Sequence, residues 1–202
     1  MKATIARLIL GGLLAAAPAL AAPSALAAVT HLRGTVTSFA HGVLTLNEAG
    51  DTTRVTVPAS VRIIGIAPAR LADIGPGSYV GAAALPEAGG HLRALEVHIF
   101  PPSLRGVGEG HRPMPGTRPD QSMTNGTVGT VESTNGTSLV VTYKGGRQVL
   151  DVPPGTPIVR LDPGTTALLK KGAAVSLDAT EGPGGYTALR VRVGERGVVP
   201  PL

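Results

Sequence analysis

The sequence predicts an all-β protein of two similar small barrels, and three observations carry the prediction. The first is turn content: 28 glycines and 18 prolines in 202 residues favour short strands over long helices. The second is that the β-prone segments are short, rich in Val and Thr, and bounded by Gly, Pro, Asn or Asp. The third is an internal repeat. The stretch from Gly34 to Pro101 resembles the stretch from Gly126 to Val199.

The repeat can be followed residue by residue. Gly34 and Val36 match Gly126 and Val128, and Val57-Pro58 matches Val152-Pro153. Pro68, Ile74, Gly77 and Val80 match Pro163, Leu169, Gly172 and Val175. Ala94-Leu95-x-Val97 matches Ala188-Leu189-x-Val191. In the first copy, strands are expected at Leu32 to Phe39, Gly42 to Asn47, Arg54 to Val57 continuing into Val61 to Ile64, Tyr79 to Ala84 and Leu92 to Phe100. Pro68 to Ile74 has room for a helical turn only. The second copy repeats this at Thr127 to Glu132, Ser138 to Tyr143, Gln148 to Val152, Ile158 to Leu161, Ala174 to Leu177 and Thr187 to Val193. Asn135-Gly136, Gly145-Gly146 and Gly184-Gly185 are hairpin turn sequences. Five strands with a short helical turn between the third and fourth is the layout of an OB-like barrel, with a pair of small sandwiches as the alternative. The expected organisation is a leader at 1–27, barrels at 28–100 and 125–194, a Pro/Gly-rich linker at 101–124 and a loose tail at 195–202.

The linker holds Pro101, Pro102, Pro113, Pro115 and Pro119 with Gly106, Gly108, Gly110 and Gly116, which rules out a helix or a central strand. It reads as a semi-rigid spacer. It also carries Arg105, Glu109, His111, Arg112, Met114 and Met123, which a plain spacer does not need.

The N-terminus reads as a secretory signal. Lys2 and Arg7 precede an apolar run from Leu8 to Ala22, and Ala19-Leu20-Ala21 and Ala25-Leu26-Ala27 are cleavage patterns. Cleavage is expected after Ala27, leaving 175 residues in the periplasm. Pro18 and Pro23 break the run short of the roughly 20 residues of a spanning helix, which argues against a retained anchor. No later segment is a membrane helix, so a channel or permease is excluded. Without cysteine the chain has no disulfide, thiolate metal site, catalytic thiol or lipidated cysteine.

The formal charge of +5 falls to +3 without Lys2 and Arg7, and it is spread along the chain. Aromatics are 2% of residues, with no Trp. Weak charge, few stacking platforms and export together argue against nucleic acid as a partner. No Gly-x-Ser-x-Gly elbow and no phosphate-cradling loop is present. Gly106-x-Gly108-x-Gly110 is not followed by a helix, so it is not a dinucleotide fingerprint. A non-catalytic protein is expected.

All five histidines fall in the first copy or the linker. On its last strand, alternation puts Leu95, Val97 and Ile99 on one face and Glu96 and His98 on the other. The second copy has Arg190 and Arg192 where the first has Glu96 and His98. The special surface is therefore expected on the last strand of the first copy and the linker. The leading reading is a binding or adaptor protein for an envelope protein or a small anionic ligand, with Arg105 and Arg112 suited to carboxylate or phosphate. A monomer is expected. The alternative is a Cu or Zn binder with His98 and His111 as imidazole ligands, Glu96 or Glu109 as carboxylate, and Met114 or Met123 as thioether. Against that alternative, the same residues read equally as surface groups and local ion pairs.

The strings Val97-His98-Ile99-Phe100-Pro101, Gly108-Glu109-Gly110-His111-Arg112-Pro113 and Met123-Thr124-Asn125-Gly126-Thr127-Val128 resemble a group of exported Gram-negative proteins of unknown function built from OB-like domains. The resemblance spans nearly the whole mature chain. It implies a periplasmic location and an OB-like fold, and brings no established activity or site residues. The label of metal-transporter permease sometimes attached to such proteins does not fit a chain without a transmembrane bundle.

Overall fold

A computed structural model describes residues 28–114, 118–132 and 137–200. The expected leader, the Asn135-Gly136 turn and Pro115 and Gly116 of the linker lie outside the described residues. The protein is all-β, with thirteen strands in one continuous sheet among the described residues. They are β1 (Val29–Ala40), β2 (Val43–Glu48), β3 (Asp51–Thr56), β4 (Arg62–Pro68), β5 (Tyr79–Pro86), β6 (Leu92–Ile99), β7 (Gly110–Pro113), β8 (Ser122–Glu132), β9 (Thr137–Tyr143), β10 (Gly146–Val152), β11 (Ile158–Gly164), β12 (Ala174–Gly182) and β13 (Gly185–Gly194). Short 3₁₀ turns at Leu71–Asp73 and Thr166–Leu168 are the helical turns expected between the third and fourth barrel strands.

The pairings close two five-stranded circuits. In the first, β1 pairs β2, β2 pairs β3, β3 runs parallel to β13, β13 pairs β12, and β12 returns to β1. In the second, β8, β9, β10, β6 and β5 make the same circuit. We call them barrel A and barrel B. Each takes three strands from one copy of the repeat and two from the other. The core of barrel A joins Leu44, Leu46 and Val55 to Leu177, Val191 and Val193; that of barrel B joins Val80, Ala82 and Val97 to Leu139, Val141 and Leu150.

The sequence division at 28–100 and 125–194 follows the repeat, whereas the two cores cross it. The crossing happens at the centre. β4 and β11 pair with each other antiparallel, β4 also running parallel to β13 and β11 to β6. Ile64 faces Pro163 and Pro68 faces Val159, pairs that interchange when the copies are exchanged. From β4 the chain continues into barrel B, where Leu71 and Ile74 join the core. From β11 it returns to barrel A, where Leu168 and Leu169 do the same.

Local sequence explains the main features. At the bend of β8, a Cβ on Gly126 would lie 2.5 Å from the Thr142 carbonyl oxygen, so only glycine lets the strands approach. Gly34 occupies the same place in β1, against Asn47. A β-bulge in β6 changes the expected alternation: Ala94 and Val97 face the core, and Leu95 is the extra residue. The linker contributes a strand, β7, which as an edge strand tolerates Pro113. Its last three residues, 122–124, begin β8. The tail is docked rather than loose, since Glu195 N–H donates to the Ile66 carbonyl and Pro200 is buried. Among the described residues no helix is long and apolar enough to cross a membrane.

Candidate functional site: one covered face and one open face

Because both barrels repeat the same pairings, their outer faces can be compared position by position. In barrel B one row across the sheet reads Asn125, Gly81, His98, Val159. The equivalent row in barrel A reads Arg33, Ser176, Arg192, Ile64. The next row of barrel A is His31, Asp178, Arg190, Arg62.

The face of barrel B is covered by the linker. Arg105 lies 5.8 Å from the centre of the Tyr79 ring and donates to the Gly77 carbonyl and the Thr127 hydroxyl. The Val107 carbonyl accepts from the Tyr79 hydroxyl and from Asn125 Nδ2. Arg112 donates to the Gly108 carbonyl. A Cβ on Gly81 would meet Asn125 Oδ1 at 2.6 Å and the Phe100 ring at 2.9 Å, so the cover is tightly packed. Burial, with Glu109 adding to it, raises the Tyr79 hydroxyl above its ordinary pKa, against the lowering by Arg112 and Arg105.

The residues expected to form a site are therefore distributed. Glu96 Oε1 and His98 Nε2 are 3.0 Å apart on the outer face, yet Nε2 is shielded from solvent without a well-aligned hydrogen bond. His111 bonds the Thr124 hydroxyl through Nδ1. Thr124 pairs with Ala82, a residue of the barrel core, so His111 faces the opposite side of the sheet from His98. It lines a cleft of about 560 Å³ with Met114, Arg118 and Ser122. Glu109 accepts from the Lys144 N–H. Arg105 and Arg112 serve their own chain, as above. Among the described residues no group of three or more His, Asp or Glu is placed to hold a metal ion.

Among the described residues, the equivalent face of barrel A has no such cover, and it is cationic. Asp178 stands at its centre, 2.8 Å from His31 Nδ1, 3.3 Å from Arg192 and 3.6 Å from Arg190. Arg33, Arg62 and Arg190 are exposed around it. Arg33 also lines a groove of about 470 Å³ with Glu96, Val198 and Pro200. Sequence reasoning missed this cluster. Its one visible signal was Arg190 and Arg192 at the positions of Glu96 and His98. His31, Arg33 and Arg62 belong to the other copy, and strand exchange alone brings them there.

Burial by itself would raise the Asp178 carboxyl; the Arg192 charge, the His31 hydrogen bond and Arg190 outweigh it and hold the group below its ordinary range. A carboxyl lowered on folding contributes stability above its unfolded pKa and loses it as pH falls through the folded value. Urea denaturation of the native protein and Asp178→Asn should therefore show a difference in stability at pH 6 that narrows as pH drops below about 4. A gap that stays constant down to pH 2 would show that the ion cluster does not supply it.

Comparison with family models, with curated proteins and with solved structures finds no match to this chain.

Proposed function

We propose that this is a non-catalytic binding or adaptor protein of the periplasm that recognises anionic groups. The reading rests on one observation: His31, Arg190 and Arg192 contact Asp178, and Arg33 and Arg62 lie exposed at neighbouring register positions, on a face that among the described residues lacks the cover the linker gives barrel B. Guanidinium groups suit carboxylate and phosphate oxygens because their planar fork matches them. Of the working face expected from sequence, Glu96 and His98 on β6 are largely buried, while Arg105, Glu109, His111 and Arg112 of the linker are exposed but bond groups of their own chain. Barrel A presents the corresponding surface without that cover, so it is the better candidate.

Heparin affinity chromatography of the chain isolated from the periplasm tests this. Retention is expected, with elution moved to clearly lower salt by Arg62→Glu together with Arg190→Glu. The control is Arg54→Glu with Arg147→Glu, an equal charge change at exposed positions on β3 and β10. Equal shifts for the two pairs would mean that net charge alone governs retention, and the reading would fall.

A further inference from the structure

The two barrels differ in one more respect, at the edge of their first strands. In barrel B, β7 pairs along the start of β8, with Gly110 opposite Asn125 and Arg112 opposite Met123. The Met114 N–H then donates to the Gln121 carbonyl. The corresponding residues of barrel A are Arg33, His31 and Val29 of β1. These pair with β12 on one side, and β2 joins the other side only from Thr35 onward. Among the described residues no strand pairs with Val29–Arg33 on that second side.

The direction of the backbone groups follows from the ladder. Val36 exchanges bonds with Ala173 and Gly172 on the β12 side, so even-numbered residues of this stretch face β12. The N–H and C=O groups of Val29, His31 and Arg33 face the open edge. The Arg33 N–H meets only the Glu48 carboxylate, at 3.4 Å, where a neighbouring strand's carbonyl would otherwise lie. An exposed edge of this kind is a template on which another chain can add a strand.

We propose that the open edge of β1 binds an extended acidic peptide as an added antiparallel strand, in the position that β7 fills on barrel B. This deepens the anion-recognition reading and rests on it for the choice of acidic side chains. Residues of the added strand that bond Val29, His31 and Arg33 would point their side chains to the outer face, the place Arg112 takes in β7. There they meet the arginine cluster. Apolar contact is available too: Val29 is 51% exposed, and Leu189, the extra residue of the β13 bulge beside Arg190, is 50% exposed.

The test is calorimetric titration of the full chain with a blocked ten-residue peptide alternating valine and glutamate. Binding is expected, weakened at least tenfold when every glutamate nitrogen is methylated and little changed when the valine nitrogens are methylated instead. The reason is that only the glutamate N–H groups point at β1. Replacing glutamate by lysine should abolish binding. On the protein, His31→Pro should bind at least tenfold more weakly than His31→Ala, since both lose the imidazole and only proline loses the edge-facing N–H. The methylated peptides remain decisive if the proline variant does not fold. No binding, or equal tolerance of both methylation patterns, overturns strand addition. If heparin retention still depends on Arg62 and Arg190 in that case, the anion reading survives alone. If strand addition is seen but heparin retention ignores those arginines, the anion reading falls instead. A dimer of the protein that is broken by His31→Pro would assign the edge to a second copy and overturn the peptide.

Discussion

Cut once between Met114 and Arg118, the folded chain is expected to stay together as a 1:1 complex that comes apart only on unfolding. The two pieces carry one copy of the repeat each, yet neither contains a closed barrel. The first supplies β1, β2 and β3 to barrel A and β5 and β6 to barrel B. The second supplies the complement. Separation would break the β1·β12, β3·β13, β5·β8 and β6·β10 pairings, as well as the β4·β11 pair at the centre. It would also expose both apolar cores, at about 25 cal/mol for each Å² of apolar surface. The check is to place a protease site in that segment, cleave the native protein, and compare size-exclusion profiles with and without denaturant. Pieces that separate under native conditions would mean that each copy closes a barrel by itself, and the interlocked arrangement would be wrong.

The second large effect is on stability. Leu177→Ala should destabilise the protein by about 2–5 kcal/mol, the usual cost of a buried leucine truncation. Leu177 is 1% exposed and lies in the core of barrel A. The informative result is its coupling to other sites. Leu44 comes from the opposite copy and shares that core; Leu139 comes from the same copy as Leu177 but lies in the core of barrel B. Double-mutant cycles by urea denaturation should show coupling above about 0.5 kcal/mol between Leu177 and Leu44. Leu177 and Leu139 should be additive within about 0.3–0.5 kcal/mol. Barrels confined to single copies would give the reverse pattern.

Much of the local structure was legible in the sequence because its causes are local. The strands were readable from β-branched runs ended by Gly and Pro. Lys144-Gly145 closes the β9–β10 hairpin, one residue before the expected Gly145-Gly146 turn, because Gly146 already pairs with Tyr143. The 3₁₀ turns at Leu71–Asp73 and Thr166–Leu168 occupy the places the repeat assigned them. Where alternation was assumed across Leu95 it failed, because a bulge adds a residue and the period of two restarts on the other face. The short strand β7 was hidden by prolines and glycines that an edge position accepts.

The candidate site was only half legible. Glu96 and His98 were correctly placed together on an outer face, and Arg190 and Arg192 were recognised as their counterparts. Asp178, His31, Arg33 and Arg62 could not be joined to them. Asp178 is 147 residues from His31, its hydrogen-bond partner. Nothing in either neighbourhood announces the contact.

The sequence by itself determined that the protein is all-β, that it carries one strand pattern twice, and where most strands lie, because turn chemistry and side-chain alternation act over a few residues; it missed β7 and ran β3 and β4 together as one strand, although they pair with different partners. Which strands close which barrel was decided only by the tertiary structure. The two copies offer nearly the same apolar faces, so either could complete the other's circuit. The β4·β11 pair at the centre is what sends each chain across. That crossing gathers the arginines of both copies on the face of Asp178, while the linker folds over the equivalent face of barrel B and, among the described residues, no strand pairs with the edge of β1.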